Sequence, residues 1–343
     1  MIEHRAQTTY IEREYRGVSM KRTWIAFMFL ALPANLAFAQ IGAGALTRSM
    51  TVTVHGDYVA AGTGLEGVEH ASIVIDTIPD GADVVGGVLY WGLLDDESRA
   101  EHARIRINGN RVVGKLAGST GGCWSRTRSF VYRARLTAEQ LGRDFEPVGE
   151  DPIPPPPGNG IYELSGYRTQ DPTVPQGATL VLIYRHESSR ARDIVFYDGN
   201  VAPTPFPPPP FFRDAEVEIH GFLAQAPVEA SSTFVVGNGD PEVQDLLYFV
   251  TQNGSIRIIG FSPLDSSDGA TWDTETVDLD GAVEPGDSFG TAILRSYSVR
   301  VGRLFGIDCT FWAAQVTSVT TSRPVDADPT VHFEERILVA RTR

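Results

Sequence analysis

Lysine is nearly missing from this 343-residue chain, which has it only at Lys21 and Lys115. With 29 basic against 43 acidic residues the formal charge is -14. No basic stripe is available to neutralise phosphates, which excludes nucleic acid, and an anionic membrane, as partners of the mature form. The excess of acid keeps such a chain soluble. Cysteine is just as scarce, at Cys123 and Cys309, and two thiols remote from any His pair do not make a metal site. Long apolar patterns of helical period are few, and 34 Gly with 22 Pro interrupt the chain so often that a helix bundle is excluded. No GxSxG elbow, HExxH pair or Walker loop occurs, and no repeat of fixed period. The sequence therefore assigns neither catalytic residues nor a cofactor.

What the chain does have begins with a targeting pattern. Lys21 and Arg22 form a basic start, residues 24–36 an apolar run, and Ala37-Phe38-Ala39 an A-x-A cleavage site before Gln40. The run is too short for a preferred membrane span. Cleavage between Ala39 and Gln40 is expected, and the product is secreted, periplasmic or held at the cell surface. Met20 directly precedes the basic pair, so residues 1–19 read as an upstream extension or a long n-region. In an oxidising compartment an even cysteine count suggests a Cys123–Cys309 disulfide, with two buried free thiols as the alternative.

Residues 40–48 read as a flexible lead-in, and residues 49–343 as strands. Residues 49–55 and 71–75 alternate apolar and polar, as half-buried strands do. Residues 84–94 are apolar almost throughout and carry Tyr90 and Trp91, which predicts a central strand buried on both faces. Ile105 and Ile107 lead into Asn108-Gly109, a dipeptide suited to a type I′ hairpin turn, and then into Val112. Thr137 is set to cap a short helix through Leu141. Further strands are expected at 129–133, 215–220, 232–236, 246–250, 255–259, 291–301 and 310–320. Residues 178–184 and 193–198 are the most apolar runs, and the polar stretch between them reads as the turn of a central hairpin over 177–200. Proline runs at 154–157 and 203–212 lack donors for a sheet and are expected as stiff exposed loops.

Candidate sites are few. Gly62, Gly64 and Gly67 match GxGxxG, but a strand pattern follows where a phosphate-binding turn needs a helix. His102, His186 and His220 fall beside Arg or Glu on faces expected to be exposed. Four acidic clusters stand out: Asp95, Asp96 and Glu97; Asp240, Glu242 and Asp245; Asp265 and Asp268; Asp278 and Asp280. Calcium needs six to eight oxygens, and Asp240, Glu242, Asp245, Asp265 and Asp268 are the best candidates for a structural ion; solvated turns are the plainer reading. Trp124, Trp272 and Trp312 suit either a sugar-binding face or the core.

Taken in order, Tyr90-Trp91-Gly92, Ile107-Asn108-Gly109, Gly158-Asn159-Gly160-Ile161-Tyr162, Leu182-Ile183-Tyr184, Val195-Phe196-Tyr197-Asp198-Gly199 and Gly237-Asn238-Gly239-Asp240 resemble an uncharacterised family of exported β-sandwich domains. That family occurs in bacterial and archaeal surface proteins. The likeness covers roughly residues 70 to 250 and implies a sandwich fold and a surface location, with no residue roles to transfer.

The expectation is an all-β, two-sheet antiparallel β-sandwich, jelly-roll-like, with long proline-rich loops. It is one elaborated domain, or two divided near 201–212. In function it reads as an exported, non-catalytic binding, adhesive or structural module whose partner is a glycan or another surface protein. The alternative is a secreted carbohydrate-active enzyme or carbohydrate-binding module that uses acidic loop residues.

Overall fold

In the computed structural model the described residues are 44–121, 127–137, 140–141, 158–202, 212–238, 245–261, 264, 268–269, 271–297 and 310–325. The targeting segment with Ala39 and Gln40, both cysteines, both proline runs, Trp124, Asp240, Glu242 and Asp265 lie outside them.

The protein is all-β and antiparallel, with one 3-10 turn at Ala100–Ala103 as the exception among the described residues. The first half supplies β1 (Leu46–Gly64), β2 (His70–Ile75), β3 (Asp83–Asp95), β4 (Arg104–Ile107), β5 (Asn110–Val113), β6 (Lys115–Gly121), β7 (Arg128–Leu136), β8 (Gly160–Ser165) and β9 (Val174–Arg185). The second supplies β10 (Ala191–Val201), β11 (Phe212–His220), β12 (Ala230–Gly237), β13 (Asp245–Thr251), β14 (Ile256–Phe261), β15 (Trp272–Asp278), β16 (Phe289–Tyr297) and β17 (Phe311–Thr320). A nine-stranded sheet has the order β15-β12-β17-β10-β1-β9-β3-β7-β6; two four-stranded sheets run β11-β16-β13-β14 and β2-β8-β4-β5.

β1 organises the whole. Its first part pairs with β10, from Leu46↔Gly199 to His55↔Ala191, and its second part with β9, from Gly56↔Arg185 to Gly64↔Gly177. The switch falls within one peptide unit. The C=O of His55 accepts from His186 N–H (2.8 Å), and the N–H of Gly56 donates to Arg190 O (3.3 Å). A trans peptide points these two groups in opposite directions, so β9 and β10 stand on opposite sides of β1. A Cβ at Gly56 would lie 1.9 Å from Tyr184 O, which is why glycine sits at the switch.

This corrects the expected hairpin. The runs at 178–184 and 193–198 are central strands, but they flank β1 rather than pair with each other. Periodicity shows that a strand is buried and leaves its neighbour open. β1 also begins at Leu46, inside the stretch read as a lead-in.

Alternation along the central strands divides their side chains between clusters. On β9, Leu180 and Leu182 face one cluster while Val181 and Ile183 face another; on β3, Leu89, Trp91 and Leu93 oppose Val88 and Tyr90. Burial on both faces explains the near-continuous apolar runs. One cluster lies under the β2-β8-β4-β5 sheet and holds Ile73, Ile105, Tyr162 and Leu164. A second lies under the β11-β16-β13-β14 sheet with Val217, Leu247, Phe249 and Leu294. The third joins Val52, Ile194, Phe196 and Val316 to Tyr58, Val181 and Ile183, so the two halves of the large sheet meet face to face over it. Each aliphatic side chain fully buried in these clusters contributes about 1.5–3 kcal/mol. The sandwich principle thus holds, applied in successive layers. Between the two central strands the chain leaves β9 at Arg185 and enters β10 at Ala191.

Local signals were mostly realised. Asn108 and Gly109 take positive φ (49° and 77°) and close the β4–β5 hairpin. The helix expected through Leu141 is instead a turn at 140–141, with 138–139 outside the described residues, although Thr137 and Gln140 still exchange two hydrogen bonds, Thr137 N–H to Gln140 Oε1 (2.9 Å) and Gln140 N–H to Thr137 Oγ1 (3.3 Å). Gly62 and Gly64 lie in β1 and Gly67 in the turn before β2, so no helix follows the GxGxxG pattern. No helix among the described residues is long and apolar enough to cross a membrane.

Candidate functional site

The described acids mostly serve the backbone or pair with arginine. Asp95 is buried at the end of β3. Its Oδ1 accepts the N–H groups of Asp96 (2.7 Å) and Glu97 (3.4 Å), and its Oδ2 accepts Thr173 Oγ1–H. Arg99 approaches all three acids of this cluster, at 3.5 Å from Asp95, 3.1 Å from Asp96 and 3.0 Å from Glu97. One guanidinium therefore offsets charge that a cation would otherwise have to neutralise. At the last cluster Asp280 Oδ1 accepts Ala230 N–H (2.7 Å) and Asp278 Oδ1 accepts Asp280 N–H (2.7 Å). Of the calcium candidates, Asp245 is buried at the start of β13, and Asp268 lies in a turn whose C=O accepts Gly64 N–H. No cluster of three metal-ligating side chains occurs among the described residues.

His102 corrects an expectation. It is buried, at 1% exposure, because the 3-10 turn after β3 points it inward against Phe130 and Tyr132. Its Nε2 lies 3.0 Å from Asp95 Oδ2 and 3.3 Å from Thr173 Oγ1, while Nδ1 accepts Arg99 N–H at 3.2 Å. An Nδ1 that accepts carries no proton, so the ring is the neutral Nε2–H tautomer with both nitrogens engaged. Burial pushes the His102 pKa down, against the opposing pull of Asp95 and Glu101. Burial alone would raise the Asp95 carboxyl, but hydrogen bonds from Asp96, Thr173 and Glu97 hold it well below the usual range. An Asp–His pair invites comparison with a catalytic dyad. Here, with neither ring nitrogen left for a substrate, it pins the 3-10 turn to β3 and Thr173. His220 is exposed beside Glu218 (3.1 Å), and His186 is half-buried, bonded to Ser188 Oγ (2.9 Å) and Asp80 O (3.1 Å).

Trp272 and Trp312 are fully buried and belong to the core; Trp272 Nε1–H donates to Thr179 Oγ1 (2.8 Å) and Trp312 stacks on Phe234. Neither offers a ring to a sugar.

A concave feature among the described residues lies elsewhere, at the β1 switch. A cleft of about 500 Å³ is lined by His55, Arg190, Thr321 and Arg323, by Gln225 through Pro227, and by residues flanking them. Backbone bonds fix its walls. Thr321 N–H donates to Ala191 O (2.9 Å) and Gln225 N–H to Thr320 O (3.0 Å), while Thr320 Oγ1 lies within reach of Gln225 O, Pro227 O and Glu229 O. Arg190 Nη1 donates to Pro227 O (3.1 Å) and Arg323 Nη1 to Gly221 O (2.8 Å); Arg323 Nε faces the buried Asp193 at 3.5 Å. His55 Nδ1 is 3.3 Å from Ser189 O. A carbonyl only accepts, so Nδ1 is the donor of this bond.

No local sequence signal marks this site. Arg190 was legible only as part of a charged loop, and nothing local links it to Arg323.

No family model matches the chain, and no curated protein sequence matches it.

Proposed function

We propose that this protein is an exported, non-catalytic module that binds a ligand at its surface or builds extracellular structure. The observation that carries this reading is the cleft at the β1 switch, an open, preformed hollow with cationic donors and no lining Asp or Glu. Among the described residues, the nearest arrangement to acid–base machinery, Asp95 with His102, spends its hydrogen bonds on holding a turn. A rigid layered scaffold with hydrogen-bonding groups at a loop-built hollow is suited to recognition. Export is supported by the Lys21-Arg22, apolar-run and Ala37-Phe38-Ala39 pattern. The test combines N-terminal sequencing of exported material with a glycan-array and polysaccharide-hydrolysis screen, each with and without Ca²⁺. A mature start at Gln40 and binding without turnover are expected. Product release that is lost on replacing a single carboxylate would sink the non-catalytic reading, and a mature protein beginning at Met1 or Met20 would sink export.

A further inference from the structure

The cleft at the β1 switch runs against the charge of the molecule. The chain holds 43 acidic residues and 29 basic ones, yet two arginines and a histidine line this hollow with no acid among its lining residues. Its volume, about 500 Å³, falls within the ~300–1,000 Å³ of small-ligand sites.

The two guanidinium groups are held without being used up. Each gives one Nη to a backbone carbonyl, Arg190 to Pro227 O and Arg323 to Gly221 O. A guanidinium has five N–H donors in a rigid plane, so a carbonyl on one nitrogen orients the plane and leaves donors for a ligand. Asp193 stands behind Arg323 and offsets part of its charge, but that carboxylate already accepts Thr53 Oγ1–H (2.8 Å) and Leu223 N–H (3.3 Å) and is fully buried. Arg190 bonds to a carbonyl, and no carboxylate pairs with it among the described residues. Planar donor forks of this kind match the two oxygens of a carboxylate or sulfate.

The rest of the lining is uncharged. Ser189, Thr321, Ser322 and Gln225 bring hydroxyls and an amide, and Pro227 and Pro324 bring ring C–H surface, which suits the hydroxyls and apolar face of a sugar. Net charge limits the ligand further. An acidic protein repels a long polyanion laid across its surface, so attraction is confined to the residue that enters the cleft.

We infer that the cleft binds one oxyanion-bearing sugar residue of an anionic glycan, carboxylated or sulfated. Arg190 and Arg323 take the oxyanion, and the hydroxyl and amide groups take the ring hydroxyls. This rests on the binding-module reading above and adds its site and ligand class.

Calorimetric titration of the full chain tests it with four probes: a galacturonate trisaccharide, a sulfated galactose disaccharide, a neutral galactose trisaccharide and a Glu-rich hexapeptide. One of the two acidic sugars is expected to bind and to weaken with added salt, and the neutral sugar to bind at least about tenfold less tightly. Arg190→Gln, on an exposed loop residue, should raise Kd at least about tenfold without moving the melting temperature; Arg323→Lys, which keeps the charge and loses the fork, should also weaken binding. Equal affinity for neutral and acidic sugars, indifference to Arg190→Gln, preference for the peptide, or no binding by either acidic sugar would each overturn the inference and leave the non-catalytic reading standing. Cleavage of a bound sugar would instead overturn the non-catalytic reading.

Discussion

Trp272 fills the space that a side chain on Gly177 would need. A Cβ built on Gly177 would lie 2.1 Å from Trp272 Cγ. The indole belongs to β15, at one end of the nine-stranded sheet, and lies against β9, with Phe311 edge-on at 6.0 Å between ring centroids. The glycine is there for close approach, since this contact is where the two halves of the large sheet press together.

Gly177→Ala is therefore expected to destabilise the protein by about 1–3 kcal/mol through overpacking. The midpoint of urea unfolding reads this directly. An unchanged midpoint would show that Trp272 yields without cost and that the contact between the halves is loose.

Val181→Asp should abolish folding. Val181 is fully buried in the cluster between the halves of the large sheet, and a carboxylate placed there would have no partner in an apolar surround. Soluble protein that melts cooperatively at the parent temperature would contradict the face-to-face packing.

Acidification should weaken the fold in two steps. The His102 pKa is lowered in the folded state, so below an unfolded value of about 6.5 the unfolded chain takes up a proton that the native ring resists. Its contribution is complete above that pH and is lost as the pH falls further. The Asp95 pKa is also lowered, so its contribution persists down to about pH 4 and is lost below. His102→Gln should remove the first step, and the gap in melting temperature between parent and variant should narrow from about pH 7 to pH 5. A gap that stays constant over this range would refute the assignment.

Cys123 and Cys309 are expected to form a disulfide in exported protein, closing a long loop and contributing roughly 5 kcal/mol at most. Thiol labelling under denaturing, non-reducing conditions should find no free cysteine. Two labels per chain would refute the pairing.

Much of the fold was legible in the sequence because much of it is local. Tyr90 and Trp91 predicted a strand buried on both faces, and they enter different clusters. Asn108-Gly109 predicted its turn, and the strand patterns at 232–236 and 310–320 match β12 and β17. β6, β8 and β15 were missed because Lys115–Gly121 is glycine-rich, Gly160–Ser165 is short and follows a proline run, and Trp272–Asp278 is polar, and their strand state comes from the partners they pair with. His102 was read as exposed because charged neighbours surround it in sequence, whereas the 3-10 turn aims it inward.

By itself the sequence determined the all-β class and the faces that must be buried, since the alternation of side chains is a property of each strand alone. Tertiary structure decided the pairing. Every apolar run here is a chemically adequate neighbour for any other, and only the closure of the whole set places β9 and β10 on either side of β1. The same closure brings Arg190 and Arg323 to one cleft, because the peptide that switches partners at His55 and Gly56 sends the chain to opposite sides and opens a hollow where it crosses.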